Sequence, residues 1–394
     1  MEKKTSFKVS EIFNYFFQNQ QSSGALLILF TLISLILANS AYNSNYQSLI
    51  HYTTQNTYHL PVSIFDWINE GFMTLFFVLI GIEIKREIYD GELKNRKNAM
   101  LPLLGAIGGM IVPTVIYITF NLNSPSTISG AGIPMATDIA FAIAVLGLLG
   151  NRIPLALKIF LTALAIIDDL GAIIIIAIFY GHGLQLNWLL MSFGICLVMF
   201  FLNKNEKTSI WIYILLGLSL WYCVLQTGIH ASISGVLFAF LLPRGNPNQL
   251  KISQQIELVL NKPVAFLILP LFAATNTALS LNSNSLHFNN PISLGIIGGL
   301  LIGKPLGIFG FSYLGSKLNL ASISSTISTK QLLGASILGG IGFTMSIFIT
   351  NLAFTANDDL SIGKVSILVA SSIAAILGYF ICKKSIPKAD SNKQ

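Results

Sequence analysis

The chain is 394 residues long, 53% hydrophobic and only 10% charged, with a mean hydropathy of +0.71. Soluble domains carry about a quarter charged residues, so this composition excludes an ordinary water-soluble enzyme or scaffold. The formal net charge of +7 is dispersed over alternate loops, which argues against a nucleic-acid-binding face.

Apolar runs recur at 24–38, 64–84, 101–120, 128–149, 153–180, 187–201, 209–223, 227–242, 256–281, 292–313, 332–354 and 361–381. They are continuous rather than alternating, so they predict an all-α polytopic membrane protein with about twelve transmembrane helices rather than a barrel. The connections are short, so 1–394 is read as one transmembrane domain. Residues 1–23 place Lys3, Lys4 and Lys8 beside an aromatic, amphipathic stretch at 11–17. That pattern suits a cytoplasmic interfacial helix better than a cleaved signal peptide. The segment 41–59 has no Lys or Arg and is rich in Tyr, Thr and Asn. It predicts a small outward-facing hairpin, with a plain loop as the alternative.

After the second span come Lys85, Arg86, Lys94, Arg96 and Lys97, and every second junction thereafter is basic, down to the 383–394 tail with Lys383, Lys384 and Lys388. Lys364 is the one exception. The positive-inside pattern puts both termini in the cytoplasm. Cys196, Cys223 and Cys382 occur singly, with neither disulfide nor metal spacing.

Two spans are poorly built as helices. The fourth opens Ser129-Gly130-Ala131-Gly132-Ile133-Pro134, and the eleventh contains Gly339-Gly340-Ile341-Gly342. Glycine weakens a helix interior and proline removes a backbone donor. Freed backbone groups are tolerable at membrane depth where they face protein or a watery cavity. Each break falls in the second span of a three-span group, predicting inverted repeats over 98–180 and 291–382 with paired broken helices.

Four charges sit well inside spans: Asp138, Asp168, Asp169 and Lys304. Left facing lipid, they would cost on the order of 10 kcal/mol together, so they must face one another, water or a cation. Asp168 and Asp169 are sequence neighbours, and their side chains diverge by about 100° on a helix. One can face an ion path while the other turns to a partner, and Lys304 is the one cation placed at that depth. The small residues Ala165, Gly171 and Ala172 beside them would admit another backbone. Asp138 follows Thr137 just past the Gly/Pro break, joining a carboxylate to a hydroxyl and freed carbonyls. All-oxygen sites of this kind suit a hard cation.

The runs ATDIAFA at 136–142, AIIDDLGA at 165–172, GKPLG at 303–307, GIEIKRE at 81–87, GIHA at 228–231 and GIGFTMS at 340–346 together resemble the NhaA sodium/proton antiporters. The match runs in order over nearly the whole chain. It implies exchange of sodium or lithium for protons across a bacterial inner membrane, with crossing, partly unwound fourth and eleventh helices. It implies that Asp169 is the principal sodium ligand with Asp168 beside it, that Thr137 and Asp138 line the site, and that Lys304 pairs with Asp168 when the site is empty of sodium. It also implies a cytoplasmic pH-responding group matching Glu83, Arg86, Glu87 and Glu257, which otherwise read as ordinary interfacial charges. Asn261 stands where some relatives would have a histidine. His230 is read either as a structural histidine or as part of that response, while His51, His59, His182 and His287 look incidental. The resemblance further implies a homodimer joined through 41–59, and two protons exchanged per sodium.

A cation channel and a carrier of organic anions remain the competing functions. The first would usually want a continuous pore, and the second is disfavoured by three aspartates against one lysine. An enzyme is not indicated, since no nucleotide loop, metal-binding histidine pattern or nucleophile arrangement is present, and no cofactor motif is found.

Overall fold

A computed structural model describes residues 9–53, 60–91, 94, 96–181, 183–203, 209–243, 252–281, 288–324 and 326–385. The elements in order are α1 Val9–Ala38, α2 Asn43–Ile50, α3 Ile64–Tyr89, α4 Arg96–Asn121, a 3-10 segment Ile128–Met135, α5 Ile139–Gly147, α6 Leu155–Phe179, α7 Leu186–Asn203, α8 Ile210–Gln226, α9 Ile233–Leu241, α10 Ile252–Asn276, α11 Pro291–Lys317, α12 Thr329–Leu338, α13 Phe343–Ala353 and α14 Asn357–Ser385. The chain is an all-α polytopic membrane protein. Among the described residues, eight helices are long and apolar enough to cross a bilayer, and the bent pair α12–α13 makes nine. The other three expected spans coincide with the shorter apolar helices Ser22–Ala38, α8 and α9.

The expected hairpin is replaced, over its described part, by the helix α2; residues 54–59 lie outside the described set. The polar side chains that read as strand-prone are instead drawn onto the end of α10. Gln47 donates to the Ala278 carbonyl at 2.7 Å, and the Tyr46 hydroxyl reaches the Ala274 carbonyl at 3.3 Å and Ser34 at 3.1 Å. Long-range partners outweigh local propensity here.

Close helix crossing positions the core. Where α4 meets α11, a Cβ on Gly307 would sit 2.1 Å from the Gly108 carbonyl oxygen, and one on Gly108 would sit 2.3 Å from that of Gly307. Any larger residue at either place would drive the backbones apart. This contact lies one helical turn beyond Lys304 and holds that residue against the broken spans. The stretch beside the paired aspartates behaves differently from expectation: Gly171 faces the Met110 side chain, whose sulfur would lie 2.2 Å from an added Cβ, rather than another backbone.

The two broken spans run antiparallel. Ser129 Oγ donates to the Ala353 carbonyl at 2.9 Å, Ser346 Oγ to that of Ile133 at 2.8 Å, and Asp138 N to that of Ile341 at 2.7 Å. Residue numbers rise along one chain as they fall along the other. α12 and α13 bend by 42° at their glycine break.

Candidate functional site

The site is assembled at the meeting of these breaks. Ala136 and Asp138 are extended, so the chain passes from 3-10 turn to helix without helical hydrogen bonds of its own at that point. Its donors and acceptors are satisfied across the break instead, as burial demands. Thr137 Oγ lies 2.9 Å from the Gly339 carbonyl and 2.7 Å from Asp168 Oδ2. Its single proton serves one of these at a time. Lys304 Nζ donates to Thr137 Oγ and, at 2.5 Å, to Asp168 Oδ2. Lys304, Asp168 and Thr137 are completely buried, and Asp169 and Asp138 are only 1% and 2% exposed.

Asp138 has a distinct task. Its Oδ1 accepts from Phe141 N at 2.9 Å, capping α5. Its Oδ2 accepts from Thr344 N at 3.0 Å and from the Thr344 hydroxyl, in the first turn of α13. One carboxylate therefore faces the N-terminal ends of two helices, where the backbone dipoles favour negative charge.

Asp169 turns the other way from Asp168, as the 100° offset requires. It lines a cavity of about 70 Å³ together with Asp138, Glu83, Asn261 and Thr344, whose apolar lining includes Phe76 and Leu269. Asp168 Oδ1 and Asp169 Oδ1 are both buried without a hydrogen-bond partner. These cavity residues offer three carboxylates, an amide and a hydroxyl from five spans. Such oxygens hold a hard monovalent cation or a proton, in competition for the same lone pairs.

Of the residues expected to answer to pH, Arg86 gathers three. It pairs with Glu257, and lies 3.7 Å from Glu83 and 3.8 Å from Glu87. Glu83 is more than a rim charge, because its buried side chain also lines the cavity with Asp169. His230 is not part of this group. Its Nδ1 lies 2.8 Å from Ser232 Oγ, and its ring meets Phe348 edge-on at 5.0 Å. Sequence reasoning missed Thr344, although a hydroxyl in the first turn after a glycine break is a recognisable capping signal. It also missed Lys85, whose ammonium donates to the carbonyls of Phe240 at 2.8 Å and Leu242 at 2.5 Å, closing the end of α9.

Comparison with known proteins identifies the family. The family model described as Na+/H+ antiporter 1 matches residues 14–382. The Na(+)/H(+) antiporter NhaA of Flavobacterium psychrophilum is 50% identical over 377 residues, covering 95% of this chain and 97% of that protein. NhaA 1 of Clostridium beijerinckii is 47% identical over 393 residues, covering 97% and 98%. Among solved structures, the sodium proton antiporter MjNhaP1 from Methanocaldococcus jannaschii at pH 8 shares the fold with a TM-score of 0.56 at 17% identity, over 95% of this chain and 99% of that one. With a family model spanning nearly the whole chain and full-length relatives near half identity, the chain belongs to the Na+/H+ antiporter 1 family.

Proposed function

We propose that this protein exchanges sodium, or lithium, for protons across the bacterial inner membrane by alternating access to the Asp138–Asp168–Asp169–Lys304 centre. The observation that carries the reading is the cavity in which Asp169 and Asp138 face each other beside the enclosed Asp168–Lys304 pair. Family membership supports the exchange itself, since the relatives are named for it. Asp169 is the principal ligand, with Asp138 and Thr137 completing the oxygen shell. Asp168 joins only when it parts from Lys304, so Lys304 is a counter-charge that holds the site when sodium is absent.

Release of two protons per sodium moves net charge, and each elementary charge is worth about 2.3 kcal/mol per 100 mV of membrane potential. The second proton comes from Asp168 or from Lys304 as their pair opens. An interior-negative potential then drives sodium outward without a pH gradient. Glu83, Arg86, Glu87 and Glu257 set the pH response, with Glu83 connecting them to the cavity. The basic loops support cytoplasmic termini, and the sequence resemblance supports a homodimer through the α1–α3 connection.

The test is sodium-dependent collapse of a pH gradient in proteoliposomes, repeated with potassium. A voltage clamp by potassium and valinomycin at equal pH then separates electrogenic from neutral exchange. Sodium flux without proton movement would sink the antiport reading in favour of a channel. No sodium movement under an imposed potential would leave one-for-one exchange.

A further inference from the structure

On the side of the Asp169 cavity away from Arg86, a set of polar residues stands in register on three spans. Leu269 and Thr344 line the cavity, and two turns farther along α10 and α13 lie Asn276 and Asn351. Two turns return a side chain to nearly the same helix face, about 10 Å on. α3 runs the opposite way, and about two turns before its cavity residue Phe76 it carries Asn69 within the π-helical segment Trp67–Phe72. π-helical turns are rare and favour functional positions.

These three amides meet. Asn351 Nδ2 donates to Asn276 Oδ1 at 2.5 Å and to Asn69 Oδ1 at 3.4 Å, and Asn276 Nδ2 reaches Asn69 Oδ1 at 3.3 Å. Between them and the cavity along α10 and α13 lie the fully buried rings of Phe272 and Phe348, 6.2 Å apart, and Phe348 packs at 5.4 Å on the equally buried Phe77 of α3. Three mutually bonded carboxamides behind an apolar layer are costly to bury, and packing alone would be served better by leucines. They make sense where a polar surface must open and close.

We propose that Asn69, Asn276 and Asn351 are the latch that shuts the ion route on the face opposite the Arg86–Glu257 cluster, with Phe77, Phe272 and Phe348 as its dry plug. The proposal rests on the antiport reading above, because it assigns the second opening that alternating access requires. Each cycle parts the amide contacts and draws α10 and α13 away from α3. The latch is thereby the contact whose strength sets how often the centre opens to that face.

The test uses full-length protein with Cys196, Cys223 and Cys382 changed to serine and Leu269→Cys as reporter, in vesicles of known orientation. A membrane-impermeant cationic methanethiosulfonate is added to one face at a time. Behind an intact latch the reporter should react from the Arg86 face and only slowly from the other. In the Asn276→Ala/Asn351→Ala protein, reaction from the latch face should rise roughly tenfold, the population change expected when the three amide contacts, two of them long, are lost from the closed state. If that protein does not assemble, Asn351→Ser carries the same test, since serine is too short to reach both partners. Unchanged reaction from the latch face in a folded variant overturns the latch. Sodium-driven proton movement by the parent is recorded in the same vesicles. Its absence overturns the antiport reading, whereas its presence with unchanged labelling overturns the latch alone.

Discussion

The charges around Lys304 and those around Arg86 each set one cation among carboxylates, and the two groups are held in opposite ways. Lys304, Asp168 and Thr137 are wholly enclosed and in direct contact. Arg86 leaves 37% of its side chain open and divides itself among three glutamates. An enclosed pair draws its strength from the low dielectric and suffers most when one member is lost. A shared, half-open arginine can be retuned without unfolding anything. The contrast assigns rigidity to the centre and adjustability to the rim, with Glu83 as the one residue that belongs to both.

Substitutions should sort by the side of this contrast on which they fall. The largest effect belongs to Asp169→Asn, which removes a carboxylate charge and a titratable group together from the cavity. Purified protein should insert and melt like the parent yet lose sodium-dependent proton movement; near-normal exchange would remove Asp169 from the centre. Next is Lys304→Gln, which strands the Asp168 carboxylate and should destabilise the protein by about 3–5 kcal/mol. Thermal unfolding in detergent measures this, and Lys304→Arg should recover part of the loss. A glutamine variant as stable as the parent would mean that the enclosed pair is not what organises the centre.

Thr344→Ala deletes one hydroxyl donor from Asp138 while leaving the backbone donor in place. The expected cost is about 1.5–3 kcal/mol, the range for a hydrogen bond to a charged group, with a higher apparent KM for sodium. Equal KM and stability in variant and parent would confine Thr344 to packing. The smallest effect on folding should come from Arg86→Gln, below about 1 kcal/mol for a half-exposed ion pair. Exchange should persist at its optimum, and the pH profile should move. A collapse of stability comparable to that of Lys304→Gln would erase the distinction between centre and rim.

Much of this arrangement is legible in the sequence because membrane insertion leaves few choices. Long apolar runs dictate helices, and Gly/Pro clusters in two of them dictate breaks. The adjacency of Asp168 and Asp169 dictates that they face different neighbours, and the structure shows them doing so. What escapes is whatever depends on pairing across spans. Nothing local to Thr344 names Asp138 as its acceptor, and the three asparagines look like isolated polar residues until their helices are packed. The π-helical segments Trp67–Phe72, Val264–Ile268 and Gly299–Gly303 are invisible to a search at the α-helical period. The last of them ends immediately before Lys304. The helix α2 escapes for the converse reason: nothing local to its polar residues names the carbonyls at the end of α10 and just beyond it that hold it in place.

Asp138 makes the two broken spans thermodynamically one object. The carboxylate that accepts from Phe141 also accepts from Thr344, so any proton or cation that draws on those oxygens weakens the restraint on α5 and on α13 simultaneously. Linkage then works in both directions. Occupancy loosens the junction, and a junction loosened by motion elsewhere changes affinity by the same factor. If Asp138 serves the ion as proposed, a separate transmission element is unnecessary, because the ion and the joint then draw on the same carboxylate.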